Sequence, residues 1–244
     1  MAISIRRRLR AIAKRLERVY GEPPAPRHLP PIDELVLTIL SQNTSDLNSD
    51  RAYRALRKRF RSWRGVATAP TSEVADAIRP GGLAQQKAPR IQAVLRAIEE
   101  RVGSIDLEWL RDLSDDEVRE YLRSLPGVGP KTAACVLAFS LDRAAIPVDT
   151  HVFRTATRLG WLPPGATAES AHVTLHELVP ARLRVSMHVG LIRLGREICR
   201  PGRPQCEECP LAKLCPTAPL ILGADEETRG GPKRQGRPRV RRER

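Results

Sequence analysis

Apolar residues recur at three- and four-residue intervals along most of this chain, and nowhere do they settle into the strict alternation that a half-buried strand requires. Ile5, Leu9, Ile12, Leu16 and Val19 draw one apolar stripe, with Arg6, Arg7, Arg8, Arg10, Lys14, Arg15 and Arg18 around it, so the first twenty residues read as an amphipathic helix. The same spacing predicts helices over 32–40, 47–60, 72–78, 87–102, 114–122, 131–141, 150–159, 169–178 and 183–198. Ser114 with Glu117 has the spacing of a capping box. With aromatics at only 4%, the expected class is all-α. A linker rich in proline (Pro23, Pro24, Pro26, Pro30, Pro31) follows the first helix. From Pro219 onward the periodicity fades, and from Arg229 the chain turns Gly/Pro/Arg-rich, which predicts disorder because almost nothing apolar is left to bury.

A chain of 244 residues, 41% of them hydrophobic, can bury a core without cross-links and is long enough for two lobes, so a hormone-sized or disulfide-knotted peptide is excluded. The net charge of +14 points to a polyanionic partner, nucleic acid first. Eight basic residues and one acidic residue between Arg229 and Arg244 put half of that charge in the last sixteen residues, and the body remains basic without them. No apolar run of about eighteen residues exists, so no membrane span is expected. The first twenty residues lack an unbroken apolar centre and a small-residue cleavage site, and read as mature protein. Of five cysteines, four fall between Cys199 and Cys215, a clustering that suggests metal in a reducing compartment.

Three stretches carry chemistry. Leu125-Pro126-Gly127-Val128-Gly129-Pro130-Lys131-Thr132 lies between two helical patterns. Its glycines permit a tight turn that aims backbone N–H groups outward at a helix N-terminus, with Pro130 suited to the first helical position, and such an end attracts phosphate. A plain connector has the same composition. Eighteen residues after Lys131 comes Asp149, in Val148-Asp149-Thr150-His151. The chain uses 36 Arg and 6 Lys, so a Lys inside the turn suggests that an amine is needed, since a guanidinium cannot act as a nucleophile. Asp149 can then take its proton or face a developing cation. The residues equally allow Lys131 to contact phosphate while Asp149 caps the helix beginning near Thr150. The third stretch is Cys199-x6-Cys206-x2-Cys209-x5-Cys215. Four cysteines are the usual ligand set of an iron–sulfur cluster. Structural zinc is the alternative, although its sites usually pair two C-x2-C steps and only Cys206 and Cys209 are so spaced. Arg200 and Arg203, in the loop between the first two cysteines, are candidate phosphate contacts, and Cys135 is expected to be buried packing.

In this order and spacing the three stretches resemble the endonuclease III family of helix-hairpin-helix DNA glycosylases, over residues 32–218. The resemblance implies a two-lobed all-α fold. Residues 31–143 form a six-helix barrel with the helix-hairpin-helix, residues 144–218 a lobe with a 4Fe-4S loop, residues 1–30 a helix and linker joining that lobe, and residues 219–244 a disordered basic tail. By position, Lys131 matches the family's Schiff-base lysine and Asp149 its catalytic aspartate, while Cys199, Cys206, Cys209 and Cys215 match the ligands of a structural 4Fe-4S cluster. Asn43 falls where the family commonly has a Gln that fills the gap left by a flipped base, with Gln42 beside it. Leu83 resembles a second wedge, and His151 follows the aspartate as in the family. Gly127, Val128 and Gly129 of the hairpin complete the expected DNA contacts with Arg200 and Arg203.

The activity so implied is that of a bifunctional DNA glycosylase and abasic-site lyase. It would remove damaged, by default oxidised, pyrimidines from duplex DNA through a lysine Schiff base and β-elimination, as a monomer in the cytoplasm at the nucleoid. Residues 103–110 also resemble the plant 5-methylcytosine glycosylases, a kinship without a claim on substrate. The alternatives are a monofunctional uracil or thymine mismatch glycosylase and a non-catalytic helix-hairpin-helix DNA-binding protein.

Overall fold

The computed structural model of the protein describes residues 5–23 and 28–229, and every regular element among them is helical. In chain order these are α1 (Ile5–Tyr20), α2 (Pro31–Leu40), α3 (Asp46–Arg59), α4 (Trp63–Thr68), α5 (Thr71–Ala77), α6 (Ala84–Val102), α7 (Asp115–Ser124), α8 (Pro130–Phe139), α9 (Thr150–Arg158), α10 (Ala168–Leu178), α11 (Arg184–Glu197) and α12 (Ala218–Arg229). No described helix is long and apolar enough to cross a membrane.

Short polar side chains mark where many of these helices begin. Ser45, Ser62, Ser114, Asp149 and Thr167 each accept the backbone N–H three residues on, which satisfies one of the donors a helix start leaves orphaned. The Ser114–Glu117 box is closed in both directions. Pro31 and Pro130 occupy first-turn positions, where a missing N–H costs nothing.

Three departures from the periodicity have physical causes. The six residues of α4 are too few to show a period; Trp63, Val66 and Ala67 are buried and hold it by tertiary contact. Helix α6 begins at Ala84, ahead of the predicted 87, because Leu83 caps it in a left-handed conformation that no local pattern announces. The disorder expected from Pro219 does not hold for its first part. Residues 218–229 form α12, with Pro219 in the first turn, and its start is tied to the cysteine loop by the Ala218 N–H, which donates to Cys215 O at 3.4 Å. The remaining tail, 230–244, lies outside the described residues, as do 1–4 and 24–27.

The buried apolar side chains separate into two clusters. One runs from Ile32 to Ala145 and gathers α2 to α8. The other combines Leu9, Ile12 and Leu16 of α1 with side chains between Ile146 and Leu211. The chain crosses from one cluster to the other between Ala145 and Ile146, in the extended stretch that joins α8 to α9. Helix α1 packs on α11, where Gly190 makes room: a Cβ there would stand 3.1 Å from the Leu16 side chain.

Candidate active site

The turn before α8 is built on one left-handed residue. Gly127 has φ 72, and a Cβ on it would collide with the Arg90 guanidinium. Val128 is buried and anchors the turn to the first core, between an exposed Gly127 and a half-buried Gly129. Gly129 caps α8, and Lys131 stands in the first turn of that helix. Across the crossing, Asp149 caps α9, its Oδ1 accepting the Val152 N–H at 2.7 Å. The sequence left open whether Asp149 is a cap or a reacting carboxylate. It is a cap through one oxygen, and its charge still acts on Lys131.

Lys131 and Asp149 line one cavity of about 1600 Å3 that also takes in Gln42, Asn43 and His151. Burial works against the Lys131 charge, but the Cys135 thiol and the Asp149 and Glu34 carboxylates outweigh it and hold the ammonium above the ordinary lysine value. The extended stretch that delivers Asp149 is itself clamped by two imidazoles. His188 Nδ1–H donates to Pro147 O at 2.7 Å, and Val148 N–H donates to His172 Nε2 at 3.0 Å. Burial pushes His172 down, and His188 down to about 4, so both work as neutral rings. His151 contributes Nδ1 to Arg154 Nη2 at 3.2 Å, and Arg154 in turn donates to Gly195 O at 2.7 Å, which ties α9 to α11.

The two wedge candidates share an unusual backbone. Asn43 (φ 52) and Leu83 (φ 50) are both left-handed without being glycine, and both are exposed, Leu83 at 45%. Such strain persists only where surrounding structure enforces it, and it gathers at functional sites. Asn43 lines the large cavity; Leu83 does not. Gln42 is half-buried and held by Arg90 Nη1 on its Oε1 at 2.8 Å.

Sequence reasoning passed over two residues that arrange these loops. Lys87 is buried and donates to Leu40 O at 2.7 Å and Gly81 O at 2.8 Å, so it ties the Asn43 loop to the Leu83 turn. Arg90 bridges Gln42 and the Gly127 turn. The scarcity of lysine was a signal for Lys87, as it was for Lys131; Arg90 stands among 36 arginines without one. Cys135 is buried as expected, and it also lines the cavity next to Lys131.

Cys199, Cys206, Cys209 and Cys215, all half-buried, surround a separate small cavity whose other walls include Ile198, Pro204 and Ile221. Arg158 holds its rim, with Nη1 on Cys199 Sγ at 3.2 Å and its carbonyl accepting from Cys215 Sγ at 3.2 Å. Among the described residues no three Cys, His, Asp or Glu are gathered tightly enough to share a single ion. Four thiol donors around one small cavity are a ligand set that fits an iron–sulfur cluster. Arg200 and Arg203 are exposed on the first part of this loop, away from the large cavity.

Residues 36–181 match the family described as HhH-GPD superfamily base excision DNA repair protein. At3g47830 of Arabidopsis thaliana, a candidate DNA glycosylase, is 42% identical over 168 residues, which are 69% of this chain and 57% of that protein, little more than half its length. Endonuclease III of Thermotoga maritima is 35% identical over 206 residues, 84% of this chain and 89% of that one. A solved non-covalent endonuclease III–DNA complex superposes with a TM-score of 0.75 at 26% identity, over 91% of this chain and 100% of the other. The all-helical architecture is thus that of endonuclease III, and the chain belongs to the HhH-GPD superfamily of base excision DNA repair proteins, in the endonuclease III family of helix-hairpin-helix glycosylases.

Proposed function

We propose that the protein is a bifunctional DNA glycosylase and abasic-site lyase that removes damaged, by default oxidised, pyrimidines from duplex DNA, with Lys131 as nucleophile. The observation that carries this reading is the placing of Lys131, from the first core, and Asp149, from the start of the second, on one cavity large enough for a flipped nucleotide. The lysine amine attacks the sugar C1′ and the base departs with the bonding electrons. The Asp149 carboxylate takes a proton and stabilises the positive charge that develops on the sugar. The resulting Schiff base permits elimination of the 3′ phosphate. Asn43 or Gln42, with Leu83, fills the vacated stack, and the Gly127–Gly129 turn, Arg200 and Arg203 hold phosphates. A 4Fe-4S cluster held by Cys199, Cys206, Cys209 and Cys215 would act as a structural cross-link for this loop, since hydrolysis and elimination transfer no electrons.

The test is borohydride trapping on duplexes with thymine glycol or a uracil-derived abasic site. A covalent adduct on both duplexes, absent from Lys131→Gln, is expected; an adduct on neither would overturn the reading. The raised pKa of Lys131 favours a second reading, a monofunctional glycosylase in which the ammonium contributes charge alone. Lys131→Arg separates the two, because it keeps the charge and removes the nucleophile.

A further inference from the structure

Pro147 O and Val148 N–H are the two polar groups of a single peptide bond, and each is held by an imidazole from a different helix. A carbonyl can only accept, so His188 on α11 carries its proton on Nδ1 and donates it, at 2.7 Å. A backbone N–H can only donate, so His172 on α10 presents a bare Nε2 to Val148, at 3.0 Å, and keeps its own proton on Nδ1. The second contact of that ring agrees, because His172 Nδ1 lies 2.7 Å from Ala168 O, another group that only accepts. The peptide so held ends one residue ahead of Asp149, in a stretch that is buried throughout 145–148. On the far side of Asp149, its Oδ1 accepts the Val152 N–H as the cap of α9. The carboxylate is thus fixed from both directions along the chain.

The geometry points to His172 and His188 as positioning residues for Asp149: together they set the plane of the 147–148 peptide, and only His172 loses its hold when it takes a proton. The inference rests on the reading of Lys131 as nucleophile with Asp149 beside it. A second proton on His188 enters at Nε2 and leaves the bond to Pro147 O in place. On His172 the only site left is Nε2, and a proton there turns the acceptor into a donor that faces the Val148 N–H and ends that bond. The clamp therefore needs a neutral His172. Facing His172 are Glu169 on its own helix, Arg123 on α7, Lys131 on α8 and His188 on α11. Glu169 favours the proton, but it is paired with Arg123 at 2.9 Å, and Arg123 and Lys131 oppose it. Facing His188 are Asp149 at the head of α9, Lys131 and His172. Burial holds His172 below its ordinary pKa, so the ring is neutral at neutral pH and gives way in acid.

The test is the single-turnover rate of borohydride trapping on an abasic duplex, followed from neutral to mildly acidic pH in the full-length protein. His172→Leu, which offers no acceptor, and His188→Leu, which offers no donor, should each slow trapping roughly tenfold at neutral pH with duplex affinity unchanged, because a misaimed carboxylate burdens the chemical step and not binding. His172→Gln puts an oxygen near the place of Nε2 and His188→Asn an N–H near the place of Nδ1, and both should recover most of that rate. The pH profile then separates the two residues. The wild type and His188→Asn should fall away from His172→Gln as the solution is acidified, whatever slope the Lys131 ammonium imposes on all three. Nitrogen-15 spectra of the imidazoles add a readout that needs no activity: His172 should be the Nδ1–H tautomer, and the Val148 amide should shift in step with its titration. Unchanged helical circular dichroism excludes misfolding as the cause of a slow variant. Wild-type rates in both Leu variants, an acid profile unaltered in His172→Gln, or a His172 protonated on Nε2 at neutral pH would each overturn the clamp while leaving the Lys131 nucleophile in place. A wild type that forms no adduct at any pH would instead remove the nucleophile reading, and the positioning role with it.

Discussion

Asp149 caps α9 with the same carboxylate that the proposed mechanism sets beside Lys131, and the two roles can be taken apart. Asparagine is as good a helix cap as aspartate, so Asp149→Asn should leave the urea midpoint nearly unchanged and abolish trapping, whereas Asp149→Ala should also lose about 1 kcal/mol of stability. Equal destabilisation by both variants would show that the cap has no part in holding α9. His188 gives a second expectation at this scale. Its folded pKa, about 4, lies below the ordinary 6.5, so protons prefer the unfolded chain. The stability contributed by the buried neutral ring is therefore complete above about pH 6.5 and is lost as pH falls toward 4, on the order of 3 kcal/mol in all. Urea midpoints across that range should fall in the wild type and fall less in His188→Gln. Lys131 stood out in the sequence because a lysine is rare here and sits inside a recognisable turn, and the structure sets Asp149 on the same cavity. Lys87 did not, since it looks like ordinary helix surface until α6 packs beside the end of α2 and its ammonium reaches Leu40 O and Gly81 O.

Among the elements, the turn before α8 concentrates the most constraint in the fewest residues. Gly127→Ala would put a side chain at positive φ, a cost of about 1–2 kcal/mol, and would displace the Arg90 guanidinium that fixes Gln42. The expected result is a folded protein with a lower melting temperature and weaker affinity for an abasic duplex; unchanged affinity would mean that the Arg90 bridge has no part in binding. Most helices were legible because their apolar stripes are long and their caps are Ser, Thr or Asp. Where a helix began on a left-handed leucine, as α6 does, or held only six residues, as α4 does, the start depended on tertiary contact and the sequence carried no local mark of it. Helix α12 was hidden by Pro219, which reads as a breaker although a first-turn position tolerates it.

For the whole molecule, charge was the property most plainly written in the sequence, and it yields the broadest expectation. Affinity for duplex DNA should fall linearly in log–log form with salt, and deletion of 229–244 should flatten that slope without abolishing specific cleavage. A slope that does not change on deletion would show that the tail stays clear of the phosphates. The division into two clusters was less legible, because the second cluster is assembled from both ends of the chain: Leu9, Ile12 and Leu16 complete a core whose other members begin at Ile146. During synthesis, then, α1 has to wait with its apolar face uncovered until α11 emerges some 170 residues later, while the intervening first core can already close. The two residues of the proposed mechanism share that timetable. Lys131 belongs to the part that can close early and Asp149 to the part that waits for its last members, so the cavity the two share is not walled on both sides until α1 has been captured.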